Sequence, residues 1–258
     1  MIKIIDVSKY QGEIDWLAVK DSGVVGAFIR AVDDDGVSPD PTFERNWRMS
    51  KEAGLMRGFY SINYAWLPPV ETAQKAVKIV RERSDGDWWM GEWRPALDVE
   101  PDKPYPHHAA HVRLQLQTLE AETGKQPIIY TSAQCWNRVD PNNEHTWASN
   151  YALWIANYWY PATHSTTWEM FNTLPPTMPL LPAAWKKYTL WQWAGNDGVQ
   201  EGIATKCDLN VLNGDLDGVH VNTILGSPPL ERPRTLSERF MKLKDKLFQM
   251  WEERGGDR

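Results

Sequence analysis

Eight short apolar segments constrain the fold of this chain more than any other feature. We predict strands at residues 2–6, 25–31, 58–62, 95–100, 127–131, 151–156, 188–193 and 204–210. In the first half, amphipathic segments at 40–54, 70–83 and 111–124 separate the strands, and the first of them has a helix start at Asp40 and a stop at Gly54. Strands that alternate with helices of this length are typical of parallel β-α-β units.

The number of strands, and the length of chain that they occupy, favour one α/β architecture. Eight strands within about 225 residues indicate a closed (β/α)8-type barrel, a TIM barrel, because such barrels occupy about 200–250 residues. Residues 157–187 are rich in Pro and Trp, so we expect weakened or missing helices in the second half. A doubly wound open sheet is the alternative, but it normally has a Gly-rich turn after its first strand, and residues 6–16 contain none.

The composition changes after the predicted barrel. We divide the chain into a barrel domain at 1–226, a Pro-rich linker at 227–235 and an amphipathic helix at 236–254. The apolar residues of this helix that share one face are Leu236, Phe240, Leu243, Leu247 and Met250. Three interpretations stay open, in order of preference: a helix packed back on the barrel, a short helix for self-association, and a weak membrane-surface segment.

Charge and hydropathy exclude two classes of partner. The net charge is −6 and the barrel region has no basic stripe to neutralise phosphates, so we expect no nucleic-acid partner. No segment approaches the ~20 apolar residues of a membrane span, so we expect no stable membrane insertion. Cys135 and Cys207 lack a metal-ligand spacing, and two free thiols are favoured over a disulfide.

Acidic residues recur where the predicted strands end. Asp6 ends the first strand, Asp33 follows the second, Asp98 and Glu100 end the fourth, and Asp208 lies near the end of the last. Taken singly, each acid has a structural explanation as a cap, an Asx-turn residue or a solvated loop. The reaction centre of a β/α barrel lies at these strand ends, so together the acids predict one acidic rim around one cavity.

Asp98 and Glu100 are two positions apart on the fourth predicted strand. Side chains at this spacing share a face, about 6.5–7 Å apart. Such proximity makes one carboxyl hard to ionise, and a protonated carboxyl can act as the general acid that glycosidic cleavage needs. The separation exceeds the ~5–5.5 Å of a direct nucleophile–acid pair and leaves room for a water or a nucleophile carried by the substrate. A polar end to a buried strand is the structural alternative.

A second cluster of titratable residues, HHAAH at 107–111, offers weaker chemistry. His107 or His108 precedes His111 by about one helical turn, a spacing that can hold a metal. No third ligand is evident nearby, so a solvated helix start is favoured. We therefore predict no metal and no cofactor.

Longer motifs resemble a known family. The segments that carry the likeness are DVSKYQGEIDW at 6–16, DPTFERNWRMSKEAGLMRGFY at 40–60, PALDVE at 95–100, PIIYTS at 127–132, LWIANY at 153–158, LWQW at 190–193 and CDLNVLNGD at 207–215. In this order, from residue 2 to about 225, they resemble glycoside hydrolase family 25, the N-acetylmuramidase type of lysozyme. The resemblance also implies a β/α barrel with weakened helices in its second half.

The resemblance implies hydrolysis of the β-1,4 bond between N-acetylmuramic acid and N-acetylglucosamine in bacterial peptidoglycan. Glu100 matches the family's general acid, and Asp98 matches the partner that orients the 2-acetamido group or assists a water. The matches to substrate-binding positions are Asp6, Asp208, Tyr60, Tyr130, Trp154 and Gln192. A phage endolysin is the favoured kind, because residues 1–11 lack signal-peptide features. The chain is thus expected to be made in the cytosol without a signal peptide and to act on the wall after release, or extracellularly.

Departures from the family pattern leave two other functions open. Val32 and Asp33 replace the usual Thr and Glu after the second strand, and Ser61 replaces a His or aromatic residue after the third, which puts the groove shape in question. A chitinase-like hydrolase is one alternative, although residues 93 and 96 are not the acids that it needs. A non-catalytic glycan-binding virion component is the other, although the acid set is intact.

Overall fold

The protein forms a closed barrel of eight strands that are neighbours in chain order. The computed structural model describes residues 1–84, 86, 93–159, 165–173 and 179–213. The strands are β1 Ile2–Val7, β2 Val24–Arg30, β3 Met56–Ile62, β4 Ala96–Asp98, β5 Ile128–Ser132, β6 Ala152–Ala156, β7 Leu190–Gly198 and β8 Cys207–Leu212. The closed (β/α)8-type barrel predicted from the sequence is thus confirmed, whereas the predicted linker and C-terminal helix lie outside the described residues.

Helices cover the barrel unevenly. They are α1 Trp16–Asp21, α2 Phe43–Glu52, α3 Pro69–Arg83, α4 His108–Thr123, α5 Ala133–Val139 and α6 Trp168–Phe171. Within the described ranges, the helices of ten or more residues all precede β5, while α5 has seven residues and α6 only four, which confirms the weakened helices in the second half of the barrel. Among the described residues, none of the helices is both long and apolar enough to cross a membrane.

The direction of the last strand corrects the sequence prediction. Strands β1 to β7 run parallel to their neighbours, but β8 is antiparallel to both β7 and β1, so the barrel is not a regular TIM barrel. Only residues 199–206 connect β7 to β8. A parallel crossover needs a dozen or more residues, so this short connection forces the chain to turn back. The start of β8, rather than its end, therefore lies beside the end of β1.

Two apolar layers stabilise the barrel, one outside it under the helices and one inside it. The inner layer consists of Ile4, Phe28, Trp93, Ala96, Ile128, Tyr130, Trp154, Ala156, Leu190 and Leu212. The Phe28 ring lies 4.6 Å from the Trp154 ring and 5.0 Å from the Trp93 ring, centroid to centroid. Gly58 makes room for this stack, because a Cβ there would come within 2.6 Å of Phe28. Large rings thus fill the barrel interior.

Truncating the centre of this stack is expected to destabilise the protein strongly. Phe28→Ala removes a fully buried ring from between two tryptophans, and such a loss costs about 3–5 kcal/mol in the free energy of unfolding. Urea unfolding followed by tryptophan fluorescence measures the change. Leu17→Ala is the control, since Leu17 is 66% exposed on α1 and its loss should hardly matter. An equal effect of the two substitutions would contradict this assignment of the inner layer.

Candidate active site

A cavity of about 130 Å³ opens at the end of the barrel where β1 to β7 terminate. We call it the rim cavity. The residues that line it are Asp6, Tyr60, Asp98, Glu100, Tyr130, Trp154, Tyr158, Gln192 and Asp208. The structure thus brings together the eight predicted catalytic and substrate-binding residues and adds Tyr158. Asp33, the fifth acid of the predicted rim, is not among the lining residues and forms an ion pair with Lys9 at 2.5 Å. A larger cavity of about 600 Å³ lies near the starts of β6 and β7, but its described lining includes no Asp or Glu.

The four carboxyl groups come from β1, from β8, from the last residue of β4 and from the second residue beyond β4. Asp6 in β1 pairs in register with Asp208, which lies at the start of β8. The sequence prediction placed Asp208 near the end of its strand, and the antiparallel direction of β8 is what brings it to the rim. Asp98 is the last residue of β4, and Glu100 lies two residues beyond it. Between these two acids, Val99 is fully buried, and its N–H donates to the Tyr130 carbonyl at 2.9 Å.

The predicted fourth strand is therefore too long, but the orientation that it implied holds. β4 ends at Asp98 rather than at residue 100, and its alternation continues for two more residues, because the Val99 hydrogen bond keeps the chain beside β5. Val99 packs into the outer core while Asp98 and Glu100 both line the rim cavity. The two acids consequently face the same space.

Asp6 is held by amide donors at the base of the rim cavity. Its Oδ2 atom accepts hydrogen bonds from Gln192 Nε2 at 3.0 Å and from Asn210 Nδ2 at 2.7 Å. Asn210 Oδ1 in turn accepts from Trp154 Nε1 at 2.7 Å. Burial raises the pKa of Asp6, and these amide donors act in the opposite direction. The network fixes the Asp6 carboxyl in one orientation.

Two tyrosines extend this network across the cavity. Gln192 Oε1 accepts from Tyr130 Oη at 2.7 Å and from Tyr158 Oη at 2.6 Å. Gln192 is only 2% exposed and links both phenols to Asp6, so its amide is already engaged by protein groups. Trp154 is equally buried and packs edge-on against Tyr130, so it forms part of the cavity floor. These residues form the floor of the rim cavity.

Asp98 and Glu100 both have raised pKa values. For Asp98 the main cause is burial, followed by the negative charge of Glu100, and the pKa lies well above its ordinary range. Its Oδ1 atom is buried without a hydrogen-bond partner among the described residues. Glu100 is exposed at the mouth, yet the surrounding walls displace enough water to raise its pKa to about 7, and the charge of Asp208 adds to this. The rim cavity can therefore retain a proton near neutral pH.

Three residues of the site were not selected from the sequence. Tyr158 could have been selected, since it is the last residue of the segment LWIANY and follows β6 by two residues. Arg30 is buried at the end of β2, where its positive charge lowers the pKa of Asp98. It donates to Asp34 Oδ1 at 2.7 Å and to the Val32 carbonyl at 2.8 Å. Neither Arg30 nor Asn210 has a local sequence signal, because only the closed barrel brings them to the cavity.

Two histidines of the HHAAH segment, His108 and His111, belong to a hydrogen-bond network beside the rim cavity. His108 Nε2 lies 2.7 Å from Asn63 Oδ1, and Asn63 Nδ2 lies 3.0 Å from His111 Nδ1 and 2.6 Å from Gln115 Oε1. The backbone N–H of Asn63 donates to the Asp98 carbonyl at 2.8 Å. His108 is 2% exposed, and burial lowers its pKa to about 4, so the expected solvated helix start is wrong for this residue. The network joins α4 to the end of β4.

The part of the chain that the structure describes contains neither a cluster of metal-binding side chains nor a disulfide bond. No group of three His, Cys, Asp or Glu residues there could hold a metal ion. Cys135 and Cys207 are both free, as expected from the sequence.

Comparisons with known proteins agree with this geometry. The family model described as Glycosyl hydrolases family 25 matches residues 5–203. The protein called Uncharacterized protein YegX of Escherichia coli (strain K12) is 30% identical over 224 residues, which cover 83% of this chain and 70% of the relative. Lysozyme M1 of Streptomyces globisporus is 24% identical over 221 residues, which cover 81% of this chain and 67% of the relative.

A solved structure shares the fold. The crystal structure of the bacterial lysozyme from Streptomyces coelicolor aligns with a TM-score of 0.63 and 22% sequence identity. The alignment covers 86% of this chain and 96% of that one. At this level of identity, the likeness shows a common barrel architecture.

Proposed function

The chain belongs to family 25 of the glycosyl hydrolases, and from this membership and the rim cavity we propose that it is an N-acetylmuramidase. It is a glycoside hydrolase, and its family and the relative Lysozyme M1 support bacterial peptidoglycan as the substrate. The proposed bond is the β-1,4 linkage between N-acetylmuramic acid and N-acetylglucosamine. The observation that carries the proposal is the convergence of Asp6, Asp98, Glu100 and Asp208 on one cavity.

In the proposed reaction, Glu100 is the general acid. Its carboxyl lies at the open mouth of the cavity, where a glycosidic oxygen can reach it, and its pKa of about 7 keeps a proton available at neutral pH. Donation of that proton to the leaving oxygen avoids expulsion of an alkoxide, and general-acid catalysis of this kind contributes about 10²–10⁴-fold in rate. After cleavage, the same carboxylate can accept a proton from water.

Asp98 is proposed to assist the nucleophile instead of acting as one. It lies deeper than Glu100, beside the buried cation of Arg30, and it faces the same space as Glu100. The charge of Arg30 favours the ionised form of Asp98, and in that form Asp98 can orient the 2-acetamido group of the substrate or polarise a water as positive charge develops on the sugar. Asp98 therefore shapes the transition state electrostatically.

The remaining lining residues are proposed to bind the sugar. Asp6 and Asp208 offer carboxylate acceptors to sugar hydroxyl or acetamide groups. Tyr60, Tyr130 and Trp154 offer aromatic surface, and Gln192 fixes the tyrosine hydroxyls relative to Asp6. In a chitinase-like site the positions before Asp98 would carry further acids, but here Trp93 and Ala96 are buried in the inner layer, which disfavours that alternative.

The test of the proposed function is an assay with purified protein and isolated bacterial cell walls. We expect the turbidity of the suspension to fall and new reducing sugar ends to appear at the same rate. A peptidase or amidase would clear walls without new reducing ends, so the pairing of the two signals identifies a glycosidase. Wall preparations that remain intact, or that clear without new reducing ends, would contradict the proposal.

The rate of cleavage is expected to fall as the pH rises through about 7. The acid form of Glu100 is the active one, and its pKa is about 7, so the active fraction is lost above that value. The measurement is kcat/KM against pH on glycan strands freed of their peptides, which removes titration of the peptide carboxyls and amines. A rate that stays constant to about pH 9 would contradict the role of Glu100, since only a tenth to a hundredth of its acid form would remain.

A further inference from the structure

Three aromatic side chains lie close together in the loops that follow β3 and β4. Tyr64 and Trp66 follow β3, and Tyr105 lies between β4 and α4. The Trp66 ring lies 5.1 Å from the Tyr64 ring and 6.2 Å from the Tyr105 ring, centroid to centroid. We call these three residues the aromatic platform. None of them is among the residues that line the rim cavity.

Trp66 is 65% exposed and is the most exposed of the three platform residues. A Trp ring combines an apolar face with one polar donor, which suits a ligand that is itself amphipathic. The apolar face of a pyranose ring, edged by hydroxyl groups, has this character.

Neighbouring contacts hold the platform in place. Gly36 lies against Tyr64, because a Cβ at Gly36 would come within 2.7 Å of the tyrosine ring and 2.5 Å of Leu67. On the other side, Tyr105 Oη donates to Asp102 Oδ1 at 2.9 Å and the Tyr105 ring packs edge-on against buried His108. Rings held on both sides lose little conformational entropy when a ligand binds.

The platform is also tied to the proposed reaction centre. Asn63, whose N–H donates to the Asp98 carbonyl, precedes Trp66 by three residues. Three residues of extended chain span at most about 11 Å, so the Cα atom of Trp66 lies within that distance of the Cα atom of Asn63. Because Asp98 lines the rim cavity, the loop that carries Trp66 lies at the same end of the barrel as that cavity.

We propose that the aromatic platform is a distal sugar-binding site in which Trp66 stacks on a pyranose ring of the glycan strand beyond the cleaved bond. The inference rests on the proposed function, since it assumes that the rim cavity holds the same strand. The site would make binding depend on strand length. A peptide stem on the same surface is the competing occupant.

The experiment uses Glu100→Gln protein, which should bind without cleaving, and peptide-free peptidoglycan glycan strands of two lengths. We measure affinity by calorimetry for the disaccharide and for strands several disaccharides long. Adding Trp66→Ala is expected to weaken binding of the long strands at least about 5-fold and to leave the disaccharide unchanged, because one aromatic stack is lost. Trp66→Phe should retain most of the affinity.

Leu17→Ala, another loss of an exposed apolar side chain, serves as the matched control and should change neither affinity. Unchanged binding of long strands by Trp66→Ala would overturn the distal site. An equal loss for both lengths would also overturn it, since the substitution would then act on the rim cavity or the fold. The long strands are titrated again with their peptides attached, and an effect of Trp66→Ala seen only then would overturn the sugar site and assign the surface to peptide. The proposed function is tested separately by the cell-wall assay. It fails if wild-type protein releases no reducing ends, whatever the effect of Trp66→Ala on binding.

Discussion

Replacing Glu100 with Gln is expected to lower the rate of peptidoglycan cleavage by about 10²–10⁴-fold, the contribution of a general acid. Gln has nearly the same size and shape, so the substitution removes the proton donor and little else. Because the raised pKa of Glu100 reflects an unfavourable environment for its charge, the neutral amide should be tolerated by the fold. Release of reducing ends from cell walls measures the effect.

Glu13→Gln is the matched control for this substitution. Glu13 has a 98% exposed side chain outside the rim cavity, and the same chemical change there should leave the rate unaltered. A circular dichroism spectrum and a melting curve that match the wild type would show that the Glu100 variant is folded. Wild-type rates from folded Glu100→Gln protein would contradict the assignment of the acid.

Replacing Asp98 with Asn is expected to have two opposite effects. Loss of the carboxylate should lower the cleavage rate by about 10²–10³-fold, the usual cost of removing one preorganised electrostatic group. The same change should raise the melting temperature near neutral pH. The folded-state pKa of Asp98 is raised above 3.8, so ionising it costs folding free energy, and a neutral Asn avoids that cost.

The increase in melting temperature expected for Asp98→Asn should depend on pH. A group with a raised folded-state pKa favours the folded state below its unfolded-state pKa and loses that contribution as the pH rises through the folded-state value. The stability advantage of Asp98→Asn should therefore be clear at about pH 8 and vanish towards about pH 4. Melting curves at both values measure it, with Glu13→Gln as a control. An Asp98→Asn protein that is less stable than wild type at the higher pH would contradict the burial of an unfavourable charge.

Much of the fold followed from local patterns. Each predicted strand overlaps an observed one, because short apolar runs between helical segments leave few other arrangements. Seven of the eight candidate residues lie around one cavity because parallel strands share one end of a barrel, and Asp208 joins them from the start of antiparallel β8. Their chemical roles are proposals that the variants described above would test.

Other features depend on contacts that no local pattern contains. The antiparallel direction of β8 results from its short connection to β7, residues 199–206. A prediction based on the number of strands does not take the length of this connection into account. The burial of His108 depends on Asn63, which is 45 residues away. The hydrogen bond from Asn210 to Asp6 likewise joins residues that are far apart, here by 204 positions in the sequence. Such pairs become visible only when the barrel closes.

The proposed reaction is cleavage between N-acetylmuramic acid and N-acetylglucosamine, and it is tested most directly by mass analysis of the fragments that the protein releases from peptidoglycan. After borohydride reduction, we expect every new end to be N-acetylmuramitol, because a muramidase leaves muramic acid at the reducing end. Fragments that end in reduced N-acetylglucosamine would contradict the account and identify the opposite glycosidic bond as the one cleaved.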